Sequence, residues 1–156
     1  MNGYLWLKWL HIVSATVLFG CGIGIAYFKW AADRSGDVRA IRWVNERTVL
    51  ADWVFTTPAV LVQPISGLAL AHLAGFPLAQ GWVAWAMGLY ILAGLCWLRV
   101  LRLQWQMREL SRVADAQQTA LPAHYRQLAL HWFLLGIPAF VALLLVLLLM
   151  VFKPAL

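Results

Sequence analysis

Four ionisable side chains stand inside or at the ends of long apolar runs: His11, Asp52, His72 and His131. Gln63 is the main amide at the middle of such a run. An ionisable group inside a bilayer is costly and marks function by default. His11 lies about 10 Å along a helix that starts near Tyr4. On a helical wheel it shares a face with Ser14, Ala15, Leu18 and Gly22. Small residues below an imidazole leave room for a flat ring, as in a haem held by histidine. The same pattern suits a histidine bonded to a neighbouring helix, with Gly20 and Gly24 as a small-xxx-small pair at a close crossing.

The other candidates qualify that reading. His72 differs in depth from His11 by about one helical turn, so a bis-histidine haem is one reading. It falls opposite the face formed by Asp52, Thr56, Ala59, Gln63, Ser66 and Gly67, unless Pro64 rotates the helix. An interfacial histidine is the other reading. Met87 sits near the depth of His11 and offers a thioether as a second axial ligand, or a core gap-filler. His131 lies about three turns away from His11. With Arg126 and His124 it suits an anionic group, such as a lipid headgroup or a porphyrin propionate, or simple anchoring at the interface. Asp52 is expected to pair with Arg47 or Arg42, and a relay from Asp52 through Thr56 to Gln63 is a second reading. Cys21 and Cys96 share a depth and are soft enough for copper(I).

The elements that carry these residues follow from composition. The 156 residues are 63% hydrophobic and 12% charged, with a mean hydropathy of +0.77. Soluble domains run near half apolar and a quarter charged. A water-soluble enzyme and a disordered chain are therefore excluded, and an integral membrane protein is implied. A span takes about 20 apolar residues. The runs 4–28, 50–74, 82–103 and 128–152 meet that length. In lipid each must be a helix. The expected fold is all-α, a single four-helix transmembrane bundle over residues 1–156.

The runs are joined by a basic polar stretch from Ala31 to Val49, the uncharged GFPLAQG turn, and a second basic stretch from Arg102 to Gln127. Lys29, Arg34, Arg39, Arg42, Arg47, Arg99, Arg102, Arg108, Arg112 and Arg126 flank the first and third connections, against Lys8 and Lys153 elsewhere. Positive charge gathers on the cytoplasmic side. Both termini are thus expected outside, in a bacterial inner membrane, with an uncleaved first span. The excess of basic residues reads as a topology signal and not as nucleic-acid binding. The ten tryptophans collect near the two interfaces, as aromatic belts do. No phosphate-binding loop, dinucleotide fingerprint, HExxH or CxxC motif occurs.

The segments LKWLHIVSATVLFGCGIG, VLADWVFTTPAVLVQPISGLALAH and WFLLGIPAFVALLLVLLLMVFKP, in that order, resemble a family of bacterial integral membrane proteins defined as a domain of unknown function, family 2269. The LKWLHI, TTP, QP-x-x-GL and KP elements carry the resemblance. More distantly the layout is similar to the HemJ-type protoporphyrinogen oxidases. His11 in an LHI setting, Thr57, Pro58 and Gly67 in the second helix, and the terminal Lys153 and Pro154 match that pattern. The lysine of the HemJ-type third helix has no counterpart in GWVAWAMGL. The resemblance implies a b-type haem. A weaker likeness to CopD-type membrane domains implies copper.

Three expectations result. The first is a haem b redox protein acting on a tetrapyrrole or quinol-like partner, with His11 as one ligand and His72 or Met87 as the other. The second is a non-catalytic subunit or assembly factor, meeting a membrane-protein partner or a second copy, with His11 and Gln63 joining helices. The third is a copper or small-solute permease using Cys21, Cys96 and Met87.

Overall fold

The computed structural model describes residues 3–79 and 81–154. Helix α1 runs Gly3–Ser35, α2 Val38–Ala51, α3 Thr57–Leu73, α4 Gly81–Ala116 and α5 Ala123–Phe152. A single π-helical turn, Asp52–Thr56, joins α2 to α3, so that Val38–Leu73 is one continuous rod. Four helices are thus long and apolar enough to cross a membrane, and no strand occurs among the described residues.

The basic stretches differ from the connections expected. They are helix. Ala31 to Ser35 extends α1, Val38 to Val49 lies in α2, and Arg102 to Ala116 extends α4. At 1.5 Å per residue α4 is about 54 Å long, well beyond a hydrocarbon core of about 30 Å. These extensions are helical because each has an apolar face with something to bury against. Ile41 of α2 and Ala32 of α1 close on Val100, Leu103, Met107, Tyr125, Leu128 and Trp132. The break between α1 and α2 is local: Gly36 takes a positive φ of 70°. Asp37 then caps α2 by accepting from the backbone N–H groups of Arg39 and Ala40.

The π turn has a local cause too. Pro58 has no N–H to give and its ring crowds the carbonyl four residues back. The wider turn relieves this, with the Thr57 N–H reaching the Asp52 carbonyl five residues back. Pro64 leaves a second carbonyl free, that of Val60. The Tyr90 hydroxyl donates to it at 2.7 Å.

Packing divides the bundle into two pairs. α1 lies on α3, and α4 lies on α5. The pairs are joined at the basic end, where α2 packs on both α1 and α4. Elsewhere α3 touches α4 only slightly. Phe19 of α1 and Phe140 of α5 meet edge to face with centroids 5.9 Å apart.

A buried polar node holds the basic end. Lys29 is 1% exposed. Its three hydrogens go to Asp33 Oδ2 at 3.0 Å, Asn45 Oδ1 at 2.9 Å and the Tyr125 hydroxyl at 3.1 Å. That hydroxyl donates to Asp33 Oδ1 at 2.7 Å. Asn45 Nδ2 donates to Ser111 Oγ at 3.1 Å. Every buried donor of the ammonium is used, which a charge inside a fold requires. Lys29 thereby ties α1, α2 and α5 together, and Asn45 extends the node to α4. Away from the node the outer faces are apolar: Ile65, Val151 and Phe152 are each at least two-thirds exposed. Lipid is the solvent such surfaces fit.

Candidate functional site

His11 projects from α1 toward α3 and is buried. Its Nδ1 lies 2.8 Å from Ser66 Oγ. The Ser66 hydroxyl donates to the Val62 carbonyl at 2.6 Å, so it accepts from His11, and Nδ1 carries the proton. Nε2 is then the lone-pair nitrogen and takes a long contact of 3.4 Å from Gln63 Nε2. Ser14 Oγ bonds Gln63 Oε1. Gly67 lets the imidazole lie flat on α3: a Cβ there would sit 3.1 Å from His11 Cε1. Gly20 and Gly24 play no such part, since a Cβ at either would meet nothing within 4 Å. The close approach expected at that pair occurs at Gly67 instead.

The expected haem ligands are only partly brought together. His11 and Met87 line one small cavity with Gln63, Trp82, Tyr90 and Met150. His72 is exposed and is not part of that lining. The cavity measures about 70 Å³, room for about two waters. The residues around His11 do not fit a haem: the ring is engaged at both nitrogens, and the space beside it is far below that of a cofactor site of a few hundred Å³. His131 and Arg126 are exposed on α5. Cys21 and Cys96 are free thiols, and neither lines this cavity or the larger one described next.

That second cavity lies between the two helix pairs and measures about 580 Å³. Its walls come from α1 between Leu18 and Trp30, the π turn, α4 between Tyr90 and Gln104, and α5 between Trp132 and Leu143. The lining is almost wholly apolar, with a few polar side chains among it. Among the described residues, six buried side-chain atoms lack a hydrogen-bond partner. Five of them belong to residues that line this cavity: Asp52 Oδ2, Thr56 Oγ1, Gln104 Oε1, Trp97 Nε1 and Trp132 Nε1. Native interiors rarely leave such atoms unpaired, and a group of them in one place calls for a missing partner.

Asp52 departs from its expected role. It is 4% exposed and has no basic partner. Arg42 instead pairs with Glu46 at 3.0 Å and with Asp115 at 2.7 Å, and Arg47 stacks over Trp43. The helical extension is the reason: it carries both arginines away along α2, where Arg42 reaches the far end of α4 and Arg47 lies over Trp43 on its own helix. The π turn meanwhile aims Asp52 and Thr56 into the cavity beside Gln104.

The mouth of the cavity faces sideways. Ile23, Tyr27 and Trp30 on α1 and Ile137 and Val141 on α5 line it and are also among the exposed large hydrophobics. These two helices meet at the edges of the gap, Phe19 against Phe140 on one side and Lys29 with Asp33 against Tyr125 on the other.

Residues 5–154 match the model of a family described as predicted integral membrane protein (DUF2269). The chain belongs to that family. Comparison of this DUF2269 chain with curated proteins and with solved structures finds no match. The HemJ-type and CopD-type likenesses therefore gain nothing from it.

Within the DUF2269 chain, the polar face from Asp52 to Gly67 was legible, but its two halves serve different sites. Asp52 and Thr56 face the large cavity, while Gln63, Ser66 and Gly67 hold His11. Gln104, Trp97 and Trp132 were missed as site residues. Gln104 carried one signal, an uncharged amide among apolar residues two positions beyond Arg102.

Proposed function

We propose that this DUF2269 protein binds a bilayer-soluble molecule whose apolar body fills the large cavity and whose polar head meets Asp52, Thr56 and Gln104. The supporting observation is that five of the six unpartnered buried polar atoms among the described residues belong to residues lining one cavity of ligand size. The sideways mouth between α1 and α5 supplies a route from the hydrocarbon phase, so the molecule need not cross water. His11 in this reading is a positioning residue: it fixes α1 on α3 and so sets one wall. The membrane is the inner membrane of a bacterium and both termini lie on its outer side, a reading supported by the ten basic residues gathered at one end of the bundle. Copper has no support in the cavities, since neither cysteine faces one.

The test is to purify the protein in mild detergent, extract it with organic solvent and identify retained small molecules by mass spectrometry. A Gly94→Trp variant fills the cavity; Gly94 lines it, and a Cβ there meets nothing within 4 Å. One compound held near unit stoichiometry by the parent and lost in the variant is the expected result. Equal retention by both, or none by either, refutes the reading.

A further inference from the structure

The charges around the large cavity narrow its ligand further. Asp52 is the one carboxylate in the lining, and no lysine, arginine or histidine lines it. One cation stands near the cavity wall, and it is spoken for. The Lys29 ammonium lies 5.8 Å from the Trp132 ring centre, but all three of its hydrogens are committed to Asp33, Asn45 and Tyr125. Asp52 takes part in no ion pair among the described residues.

Aromatic side chains line the same cavity: Tyr27, Trp97 and Phe133, together with Trp30 and Trp132, whose rings already meet Arg34 and Lys29. Aromatic faces attract cations, most strongly where water is excluded. A neutral head could bond Thr56 and Gln104 but would leave Asp52 without a countercharge, at a cost of the kind that buried unpaired charges carry. An anionic head would add repulsion to that cost. A monocation answers both the carboxylate and the rings.

We infer that the cavity selects a lipophilic monocation, an amine or quaternary ammonium on an apolar body, with Asp52 as its counter-ion. This rests on the reading of the cavity as a binding site given above. It concerns only which charge the site accepts.

Three aryl probes of similar shape separate the two questions: tetraphenylphosphonium, tetraphenylborate and neutral triphenylphosphine oxide. Each is titrated into the full chain in nanodiscs of zwitterionic lipid, with binding read by quenching of tryptophan fluorescence and corrected with empty discs. The phosphonium is expected to bind at least about tenfold more tightly than the oxide, and the borate not at all. Asp52→Asn is expected to weaken the phosphonium by about tenfold or more and to leave the oxide within about twofold. Unchanged oxide binding also reports that the variant is folded. Equal affinity for phosphonium and oxide, or an Asp52→Asn variant that binds the phosphonium as before, overturns the cation assignment while the binding site stands. If no probe binds, or if Gly94→Trp binds all as the parent does, the binding site falls and the assignment with it.

Discussion

Replacing Lys29 by methionine removes three hydrogen bonds at once and strands a carboxylate. Asp33 Oδ2 loses its ion pair and Asn45 Oδ1 loses its donor, while the Tyr125 hydroxyl keeps its bond to Asp33 Oδ1 and its contact from Asn45 Nδ2 at 3.0 Å. Breaking a buried pair from one side costs about 3–5 kcal/mol. The Asp33 side chain retains 18% exposure, so water recovers part of the loss, and about 3 kcal/mol is the expected figure. The assay is reversible unfolding in mixed micelles by stepwise addition of sodium dodecyl sulfate. The double variant Lys29→Met with Asp33→Asn has no charge left to strand and is expected to regain at least half of the deficit, a coupling that a cycle of single and double variants isolates. A single variant that costs under about 1 kcal/mol would show that the node is dispensable. A double variant no better than the single would show that packing of the lysine stem, and not the charge, carries the effect.

Tyr90→Phe leaves the Val60 carbonyl without a donor and is expected to cost about 1–3 kcal/mol; adding Pro64→Ala restores a backbone N–H for that carbonyl, and the pair should be more stable than Tyr90→Phe alone. Gly67→Val drives a methyl group into the His11 ring and should lower stability by about 1–3 kcal/mol, with His11→Ala recovering most of it in the double variant by emptying that space. Asp52→Leu removes an unpartnered polar group from the ligand-free protein, so its unfolding midpoint in detergent should rise above the parent's, and a fall would mean that Asp52 is already satisfied. An alkaline phosphatase fused after Leu156 should be active and a green fluorescent protein dark, since the C-terminus is expected outside; the reverse pattern would invert the orientation.

The four spans and the polar face of the second one were written in apolar run length and in helical spacing, both local quantities. Local spacing also held a signal for Lys29 that charge counting concealed. It stands 18 residues beyond His11, about five full turns, and so on the same buried face as Ser14 and Leu18; Asp33 follows one turn later. A lysine at the end of an apolar run passes for a topology marker unless its face is checked. The extended helices were hidden because polar composition resembles a loop when only hydropathy is read, while the buried stripe of Ile41, Asn45, Thr48 and Val49 recurs at helical spacing. The large cavity had no local signature at all. It lies between two contacts of α1 with α5, Phe19 on Phe140 and Lys29 with Asp33 on Tyr125, and that spacing depends on how pairs of helices dock, which nothing in either helix alone records. The Asp52–arginine pair failed for a related reason: both partners are near in sequence, but a continuous rod points them in different directions.

The π turn at Asp52–Thr56 also bears on which insertions and deletions the chain can survive. Such a turn holds one residue more than an α-helical turn of equal rise. Removing one residue from it would heal the rod into plain α-helix, which makes the same turn with one residue fewer, at the cost of restoring the crowding at Pro58. The rod after Thr56 would keep its phase, and Gln63, Ser66 and Gly67 would stay against His11. The turn is thus a reserve of length between two halves of one rod, one facing the cavity and the other facing His11. A single deletion there should keep the register of both sites, whereas a residue added to the plain helix between Pro58 and Gln63 should swing Ser66 and Gly67 away from His11 by about 100°.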